Sequence, residues 1–187
     1  MGTIYERTEL GPFIRSHLRG PGDVAWRMEQ LPAYAVDSDG DDFQRWLDGE
    51  PEPTWERKQL NFDGLAARAA NGIRSERVRI FTAELTPYER YAAEWGYALN
   101  GPAGEDIRVL HRGEHVIPPI LGFDYWLINE AHVARMHYDD RGQWEAWEDA
   151  PELLDDCLAE HDLTWSVAEH FELWYSRHPE HARRLAA

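Results

Sequence analysis

The chain has 187 residues, and its 35 acidic and 19 basic side chains give a formal net charge of −16. This excess of negative charge repels a phosphate backbone and an anionic membrane surface, so direct binding to nucleic acid or to a membrane is disfavoured. A hydrophobic share of 43% and nine tryptophans supply enough apolar surface for one globular core, and the length is typical of a single domain.

The composition also indicates a compartment. Cys157 is the only cysteine, so it cannot form an internal disulfide, and it lies in no thiol-metal pattern. We expect it to be a small buried apolar residue in a reducing environment. The N-terminus shows neither a basic segment followed by an apolar run nor an apolar stretch of membrane-spanning length. We therefore expect a cytoplasmic protein.

The first fifty residues predict a helix, a strand and a second helix. Apolar residues recur at helical spacing over residues 10–18 and 43–47, and residues 24–29 are extended in character. The connector 50–54 holds two prolines and cannot continue a helix. We place no domain boundary there, because neither side alone contains a complete sheet and core.

We therefore predict one globular domain over residues 1–187. Its segment 1–50 is expected to pack on an α/β core formed by residues 60–178, and residues 179–187 are expected to form a tail. The core opens with a helix over residues 61–73, whose apolar side chains fall on one face.

The clearest pattern lies between residues 77 and 111. Residues 77–82 are rich in β-branched side chains and predict a strand. Thr86 and Glu89 form a capping box with proline at the first helical position, and residues 106–111 predict a second strand. The order strand, helix, strand predicts a β-α-β crossover with two neighbouring parallel strands.

A β-hairpin is predicted next. Residues 124–128 and 132–138 read as strands, with Asn129 and Glu130 in the turn between them. A second turn leads to a third strand over residues 143–148, so the three strands form an antiparallel meander.

Two more helices are predicted, at residues 151–158 and 167–175, before Pro179 interrupts the last one. The predicted fold class is therefore α/β, or mixed α+β. One β-α-β crossover and an antiparallel three-stranded meander together form a mixed sheet flanked by helices.

The histidines of the hairpin suggest a metal site at first sight. Strand alternation puts His137 and Asp139 on one face, however, and His132 on the other. Arg135 would also repel a cation. We therefore predict no metal, and we interpret the histidines near the C-terminus, His170, His178 and His181, as part of a solvated segment.

Catalytic signatures are missing as well. The sequence contains no GxSxG elbow, no recognisable triad and no glycine-rich phosphate motif after a strand. We predict no catalytic residue and no cofactor, and we favour a protein that is not an enzyme.

Ionisable and aromatic side chains are nevertheless concentrated on neighbouring strand ends and turns, where an α/β sheet commonly places its binding crevice. These candidate ligand-binding or partner-binding residues are Arg108, Asp124, Trp126, Glu130, Arg135, His137, Tyr138 and Asp139. One interpretation is an ion-pair network on a sheet face. The other is a pocket for a polar small molecule or a partner's peptide, with Trp126 and Tyr138 as its apolar walls.

Several long blocks carry a family resemblance over roughly residues 24 to 150. They are WRMEQLPAY at 26–34, FQRWLDGEPEP at 43–53, RVRIFTAELTPYERYAAEWGYALN at 77–100, GEDIRVLHR at 104–112 and DYWLINEAHVARMHYDDRG at 124–142. In these blocks the chain resembles a family of uncharacterised actinomycete proteins, known as a domain of unknown function. Its members are often encoded beside helix-turn-helix regulators or fused to them, so the resemblance implies a regulatory or partner-binding role.

One departure from that family concerns the hairpin turn, where Asn129 and Glu130 replace the usual pair of aspartates. A fixed acidic pair with a chemical role is therefore not expected there. The order of elements is also similar to half of a phospholipase-D-like domain, but the HxKxxxxD signature is missing, so that similarity concerns the fold alone.

Our leading hypothesis is a non-catalytic α/β binding or regulatory module that associates with a protein partner, such as a helix-turn-helix regulator. The alternative is a small-molecule sensor or an enzyme with a polar pocket at the sheet strand ends. A homodimer is a further hypothesis, because four tryptophans exceed what loops and outer strands normally bury; these are Trp46, Trp55, Trp144 and Trp147.

Overall fold

The computed structural model of the chain describes residues 2–35 and 39–183. The strands are β1 (Thr3–Glu6), β2 (Val24–Glu29), β3 (Arg74–Phe81), β4 (Glu105–His111), β5 (Tyr125–Ile128), β6 (His132–Tyr138), β7 (Trp144–Asp149) and β8 (Glu169–His170). The α-helices are α1 (Arg7–His17), α2 (Asp42–Leu47), α3 (Trp55–Ala70), α4 (Pro87–Tyr91), α5 (Ala98–Asn100), α6 (Leu154–Val167) and α7 (Phe171–Arg177). A π-helical segment (Ala92–Tyr97) joins α4 to α5, and short 3-10 turns lie at Pro151–Leu153 and Pro179–His181.

All the strands form one sheet of order β1-β7-β6-β5-β2-β3-β4-β8. Strands β2, β3 and β4 run parallel, and the other pairings are antiparallel. The fold is therefore a mixed sheet with helices on both faces, which confirms the predicted fold class.

The β-α-β crossover is confirmed in its details. β3 and β4 pair in parallel, and the helix between them begins with the predicted capping box. The backbone amide of Glu89 donates to Thr86 Oγ1 at 3.1 Å, and the amide of Thr86 donates to Glu89 Oε2 at 2.9 Å. These two bonds satisfy amides that the first helical turn leaves without partners.

The apolar residues that follow this cap recur at helical spacing and suggest one continuous α-helix, but the structure differs. Residues Ala92–Tyr97 are π-helical, which changes the rotation per residue and shifts the faces of the side chains that follow. Tyr97 thereby faces the sheet, where its hydroxyl donates to Glu29 Oε2 at 2.8 Å.

The antiparallel meander of β5, β6 and β7 is also confirmed. Its first turn is closed by a bond from the amide of Ala131 to the carbonyl of Ile128 at 3.0 Å, and its two central residues have left-handed backbone, with φ of 52° at Asn129 and 53° at Glu130. Asn129 ties this turn to two other elements. Its Oδ1 accepts from the backbone amide of Val24, and its Nδ2 donates to the carbonyl of His17, both at 2.8 Å.

Three predictions about the N-terminal half need correction. Segment 1–50 does more than pack on the core, because β2 lies inside the sheet between β5 and β3. α3 begins at Trp55 and not near residue 61, because Asp42 holds Thr54 at the start of the helix. Asp42 Oδ1 accepts from the Thr54 amide at 3.0 Å and from the Thr54 hydroxyl at 2.6 Å. The strand β1 pairs with β7 and was not predicted.

The C-terminal end differs from its predicted form too. His178 is only 9% exposed and is not part of a solvated segment, since Trp174 stacks on its ring. β8 adds a two-residue edge to the sheet beside β4, ahead of α7. Residues 184–187 of the predicted tail lie outside the described part of the chain.

Each face of the sheet carries its own core. On one face Trp26, Val78 and Leu110 pack with residues of α6, among them Cys157, which is fully buried as predicted. The other face is covered by α1 at one end and by α4, the π-helical segment and α7 at the other. Trp46 and Trp147 are buried in these cores, so they add nothing to the exposed aromatic surface expected of a homodimer.

Among the described residues, none of the helices combines the length and the apolar character needed to cross a membrane.

Candidate functional site

A pocket of about 830 Å³ opens between the central strands of the sheet and the elements that cover their face. Its floor is formed by side chains of β2, β3, β5 and β6, and its sides come from α1, α3, α4, the π-helical segment and the turn after β6. The volume lies within the range of about 300–1,000 Å³ that is typical of small-molecule sites.

Charged residues at alternate positions of two parallel strands form the floor. Arg27 and Glu29 of β2 point to the same face, and in-register pairing sets Arg27 beside Arg77 and Glu29 beside Arg79. Charges on the inner face of a central strand are costly unless they are paired. This face of the sheet therefore depends on a connected ionic network.

Glu29 is the centre of that network and is 4% exposed. Its Oε1 lies 2.8 Å from Arg77 Nη1 and 3.0 Å from Arg27 Nη1, and its Oε2 accepts from the Tyr97 hydroxyl. Burial alone would raise the pKa of Glu29, but the guanidiniums of Arg27, Arg77 and Arg79 outweigh it and hold that pKa well below its usual range. Glu29 is therefore ionised in the folded protein.

Further carboxylates hold the neighbouring arginines in place. Glu105 Oε1 accepts from Arg77 Nε at 2.9 Å and from Arg77 Nη2 at 2.7 Å, which fixes the plane of that guanidinium. Arg79 is fully buried and reaches Glu89 at 3.2 Å and the carbonyl of Leu31 at 2.6 Å. The floor is thus a rigid array and not a set of mobile surface side chains.

Asp124 extends this array to the edge of the pocket. It is buried, it accepts a hydrogen bond from the hydroxyl of Tyr34, and its Oδ1 accepts from the amide of Gln30 at 2.9 Å. Burial raises the pKa of Asp124. Tyr34 lines the pocket and Asp124 does not. Asp124 therefore affects the site by orienting Tyr34.

Aromatic rings from both the sheet and its covering helix line the pocket. Tyr88, Tyr91 and Tyr97 come from the helix that covers the sheet, and Trp126 and Tyr138 from β5 and β6. A wall of this kind binds planar apolar groups by stacking and by edge-to-face contacts.

Three buried donors of the pocket lack a hydrogen-bond partner among the described residues. They are Arg27 Nε and the hydroxyls of Tyr91 and Tyr138. The Arg27 guanidinium lies 5.3 Å from the ring centre of Trp126, a cation-π contact that holds it flat in the floor. Burial raises the pKa of Tyr138, so its hydroxyl keeps its proton and stays a donor.

The eight candidate residues from the sequence do not form one site. Trp126 and Tyr138 line the pocket. Strand alternation places Arg108, Arg135 and His137 on the opposite face of the sheet, which packs against α6.

On that opposite face the three residues have local partners. Arg108 lies 3.8 Å above the ring of Trp165 and donates to its carbonyl at 2.9 Å. Glu148 Oε2 lies 3.8 Å from Arg135 Nη1 and 3.2 Å from His137 Nε2. This is the geometry of an ion-pair network on a sheet face.

The last two candidates lie in turns. Asp139 Oδ1 accepts from the amides of Arg141 and Gln143 at 2.9 and 2.8 Å, so it shapes the turn between β6 and β7. Glu130 is exposed and borders a smaller cavity of about 200 Å³ on the α6 face.

The main pocket residues that sequence reasoning missed are Arg27, Glu29 and Arg77. A signal for them was present, because VAWRME and RVRIFT each carry charges at every second position of a predicted strand. The pairing of β2 with β3 was not predicted, so nothing placed these charges beside one another. Tyr88 and Tyr91 also line the pocket, but the sequence assigned them only to the helix that follows Thr86.

Comparison with known proteins gives one match. Neither the curated proteins nor the solved structures contain a match to this chain. One family model, described as a domain of unknown function, matches residues 14–176, which is most of the chain. The match includes every strand of the sheet except β1, and it includes the whole floor of the pocket. The chain therefore belongs to the family of the domain of unknown function DUF6879.

Proposed function

We propose that this chain is a non-catalytic binding module that takes a planar small molecule with a hydrogen-bond acceptor, such as a carboxylate or a carbonyl group. The observation that carries this proposal is the aromatic pocket of about 830 Å³, whose lining residues Arg27, Tyr91 and Tyr138 each have a buried donor without a partner among the described residues. This corresponds to a small-molecule sensor, the alternative hypothesis from the sequence, with the pocket over the middle of the sheet and not at its strand ends.

The walls indicate a planar ligand. Tyr88, Tyr91 and Tyr97 of the covering helix and Trp126 and Tyr138 of the sheet all line the pocket, so a flat ring in it can contact aromatic side chains of both elements. Aliphatic side chains contribute less to the lining. A flexible alkyl chain would leave the aromatic hydroxyls without partners, which is unfavourable in a buried site.

The floor indicates an acceptor. A buried donor without a partner costs about 1–3 kcal/mol, and a ligand oxygen can recover that free energy by accepting from it. Arg27 Nε and the Tyr138 hydroxyl are such donors. The formal charge of Arg27 is balanced by Glu29, so a neutral carbonyl serves as well as a carboxylate.

A glycine in the pocket wall provides the test. Gly96 lies in the π-helical segment, lines the pocket, and has no atom within 4 Å of where a Cβ would stand. Gly96→Phe therefore fills the pocket without a backbone clash. Gly64 is the matched control, because it is a half-buried helical glycine with equally open space, and it does not line the pocket.

The measurement is a thermal-shift and calorimetric screen of the full chain with a panel of planar aromatic carboxylates and amides. We expect at least one compound to bind the wild type and the Gly64→Phe variant alike, and to lose affinity at least about tenfold in Gly96→Phe. Binding that survives in Gly96→Phe, or a panel without a single binder, would refute the assignment.

Association with a protein partner such as a helix-turn-helix regulator stays a prediction from the sequence resemblance. The homodimer, which the tryptophans suggest, and the cytoplasmic location, which the single cysteine and the N-terminal segment suggest, also stay predictions. Light scattering of the purified chain tests the homodimer, and a monomer in that measurement would exclude it. Co-purification with a tagged neighbouring regulator tests the partner.

A further inference from the structure

A cluster of histidines and carboxylates lies where β4 ends and α7 terminates. Its members are His111, Glu114, His178, Glu180 and His181. None of these residues lines the aromatic pocket, so the cluster needs an explanation of its own. The sequence placed His111 at the end of a strand and His178 and His181 in a C-terminal segment, and the fold brings them together.

His111 is the last residue of β4 and is 6% exposed. Its Nε2 lies 3.0 Å from the backbone carbonyl of Ala83, and since a carbonyl can only accept, Nε2 carries the proton. A neutral His111 then has its lone pair on Nδ1. That atom is buried without a hydrogen-bond partner among the described residues, and it lies 3.9 Å from Glu114 Oε2.

His178 has the same arrangement with its ring atoms exchanged. Its Nδ1 lies 2.8 Å from Glu180 Oε1, and its Nε2 lies 2.7 Å from Glu114 Oε1. If Nδ1 donates to Glu180, the Nε2 of a neutral ring turns a lone pair toward the Glu114 carboxylate. Two acceptors at that distance repel, so either His178 carries a second proton on Nε2 or both atoms bind a cation from the same side.

We propose that His111 Nδ1, His178 Nε2 and the carboxylate of Glu114 bind a divalent transition-metal ion, with Zn²⁺ as the best fit. The three ligand atoms lie within 4.8 Å of one another. Bonds of about 2.0–2.1 Å to a tetrahedral zinc ion set its ligands about 3.3 Å apart, so only small side-chain movements close the site. Two imidazoles and one carboxylate are a common ligand set for zinc, with water in the fourth position.

The surroundings support a metal-binding role for both imidazoles. The non-ligating nitrogen of a zinc-binding histidine normally donates to a carboxylate or to a backbone carbonyl, which fixes the ring and its tautomer. Glu180 fills that place for His178, and the carbonyl of Ala83 fills it for His111. Trp174 packs against both rings and limits their rotation.

Two arginines lie close to the cluster. Arg90 acts electrostatically on His181, which belongs only to the second set described below. Arg177 Nη2 is 3.6 Å from Glu114 Oε2, but it lies only 2.6 Å from Glu169 Oε2. Glu169 is thus the main partner of this guanidinium, and Glu114 remains available to an ion. The Glu114 side chain is 30% exposed, which provides a path for the ion from solvent.

A second set of potential ligands shares one histidine with the first. His178, Glu180 and His181 also have ligand atoms within 4.8 Å of one another. Each set contains one buried Nδ1 without a hydrogen-bond partner among the described residues, that of His111 and that of His181. We favour the set with His111 because the Glu114 side chain is 30% exposed, whereas the Glu180 side chain is 60% exposed. The two sets predict different effects of substitution, since His111 belongs only to the first and His181 only to the second.

The experiment uses the full chain, expressed without an affinity tag, stripped with a chelator and titrated with Zn²⁺ against a chromogenic competitor. We expect one equivalent of zinc to bind. Glu114→Gln removes a ligand charge at a partly exposed position, and His111→Gln keeps a donor toward Ala83 while it removes Nδ1. Each of these two variants should weaken zinc binding at least about tenfold.

Two histidine variants are controls. His170→Ala removes an exposed histidine outside the cluster, and His181→Ala removes the ligand that only the second set uses. Both should bind zinc as the wild type does, and far-ultraviolet circular dichroism should show that every variant is folded. Absence of stoichiometric zinc in the wild type would overturn the proposal. Loss of zinc in His181→Ala with retention in His111→Gln would also overturn it, in favour of the second set.

Discussion

Replacing Glu29 by Gln should destabilise the folded protein by about 3–5 kcal/mol at neutral pH. The carboxylate lies 2.8 Å from Arg77 Nη1 and 3.0 Å from Arg27 Nη1, and the variant leaves these guanidiniums without its charge. Arg77 keeps Glu105 as a partner, so the loss falls mainly on Arg27.

The magnitude follows from the distances. A pair of unit charges about 4 Å apart is worth about 4 kcal/mol at an effective dielectric constant of about 20. Glu29 makes two such contacts, and the relief of its own desolvation in the variant offsets roughly half of their sum. Removal of one partner from a buried ionic group typically costs about 3–5 kcal/mol, which agrees with this value.

The pH dependence of stability gives a second readout. The pKa of Glu29 is lower in the folded protein than its unfolded value near 4.5, so the stability it contributes is present above that pH and is lost as the pH falls further. The difference in free energy of unfolding between the wild type and Glu29→Gln should therefore be largest near neutral pH and should shrink below about pH 4.5.

Urea denaturation followed by tryptophan fluorescence measures both effects. Glu145→Gln is the matched control, because it makes the same chemical change at an exposed position of β7 and should alter the free energy of unfolding by less than about 0.5 kcal/mol. If Glu29→Gln were as stable as this control at neutral pH, the ionic floor of the pocket would not stabilise the fold, and the reasoning would be wrong.

Three further predictions concern other parts of the sheet and its cover. Burial raises the pKa of Glu160 to about 7. Glu160→Gln should therefore be more stable than the wild type by about 1–3 kcal/mol near pH 8, and this difference should disappear toward pH 4.5. A difference in urea denaturation between variant and wild type that is the same at both pH values would contradict this prediction. In the hairpin turn, Glu130→Gly should stabilise the protein by up to about 1 kcal/mol, because glycine adopts a positive φ without strain. Asn129→Gly should destabilise it by about 1–3 kcal/mol, because the hydrogen bond to the Val24 amide is lost. Thermal denaturation that ranks the two variants in the reverse order would refute this prediction. Burial raises the pKa of the Cys157 thiol to about 12. A thiol reagent should therefore label the native protein no faster than the protein unfolds. Rapid labelling without denaturant would contradict this prediction, because it would show that the thiol is accessible.

The local elements of this fold are readable from the sequence because their signals are local. The capping box at Thr86 and Glu89 and the two-residue turn at Asn129 and Glu130 each involve neighbours in the chain, and both are present as predicted. The π-helical segment escaped prediction because its pattern of apolar residues is compatible with an ordinary helix.

The pocket was harder to predict because it depends on strands that are distant in the sequence. Arg27 and Arg77 meet only because β2 and β3 pair, and no local pattern specifies that pairing. Periodicity also cannot say which face of a buried strand will meet a cavity and which will meet a helix. Strand alternation separates Arg135 and His137 from Tyr138, as the structure shows, but the three residues were grouped as candidates because they lie near strand ends and turns.

The position of β2 in the sheet has a consequence for the synthesis of this protein. Both neighbours of β2 come later in the chain, since β3 is Arg74–Phe81 and β5 is Tyr125–Ile128. As the ribosome adds residues in order, β2 leaves the exit tunnel long before either partner exists, and its unpaired edges are exposed to other nascent chains. One side of the unpaired β2 carries charges, because Arg27 and Glu29 alternate with Trp26 and Met28. These charges oppose association of β2 with a second copy of itself until β3 is synthesised and pairs with it.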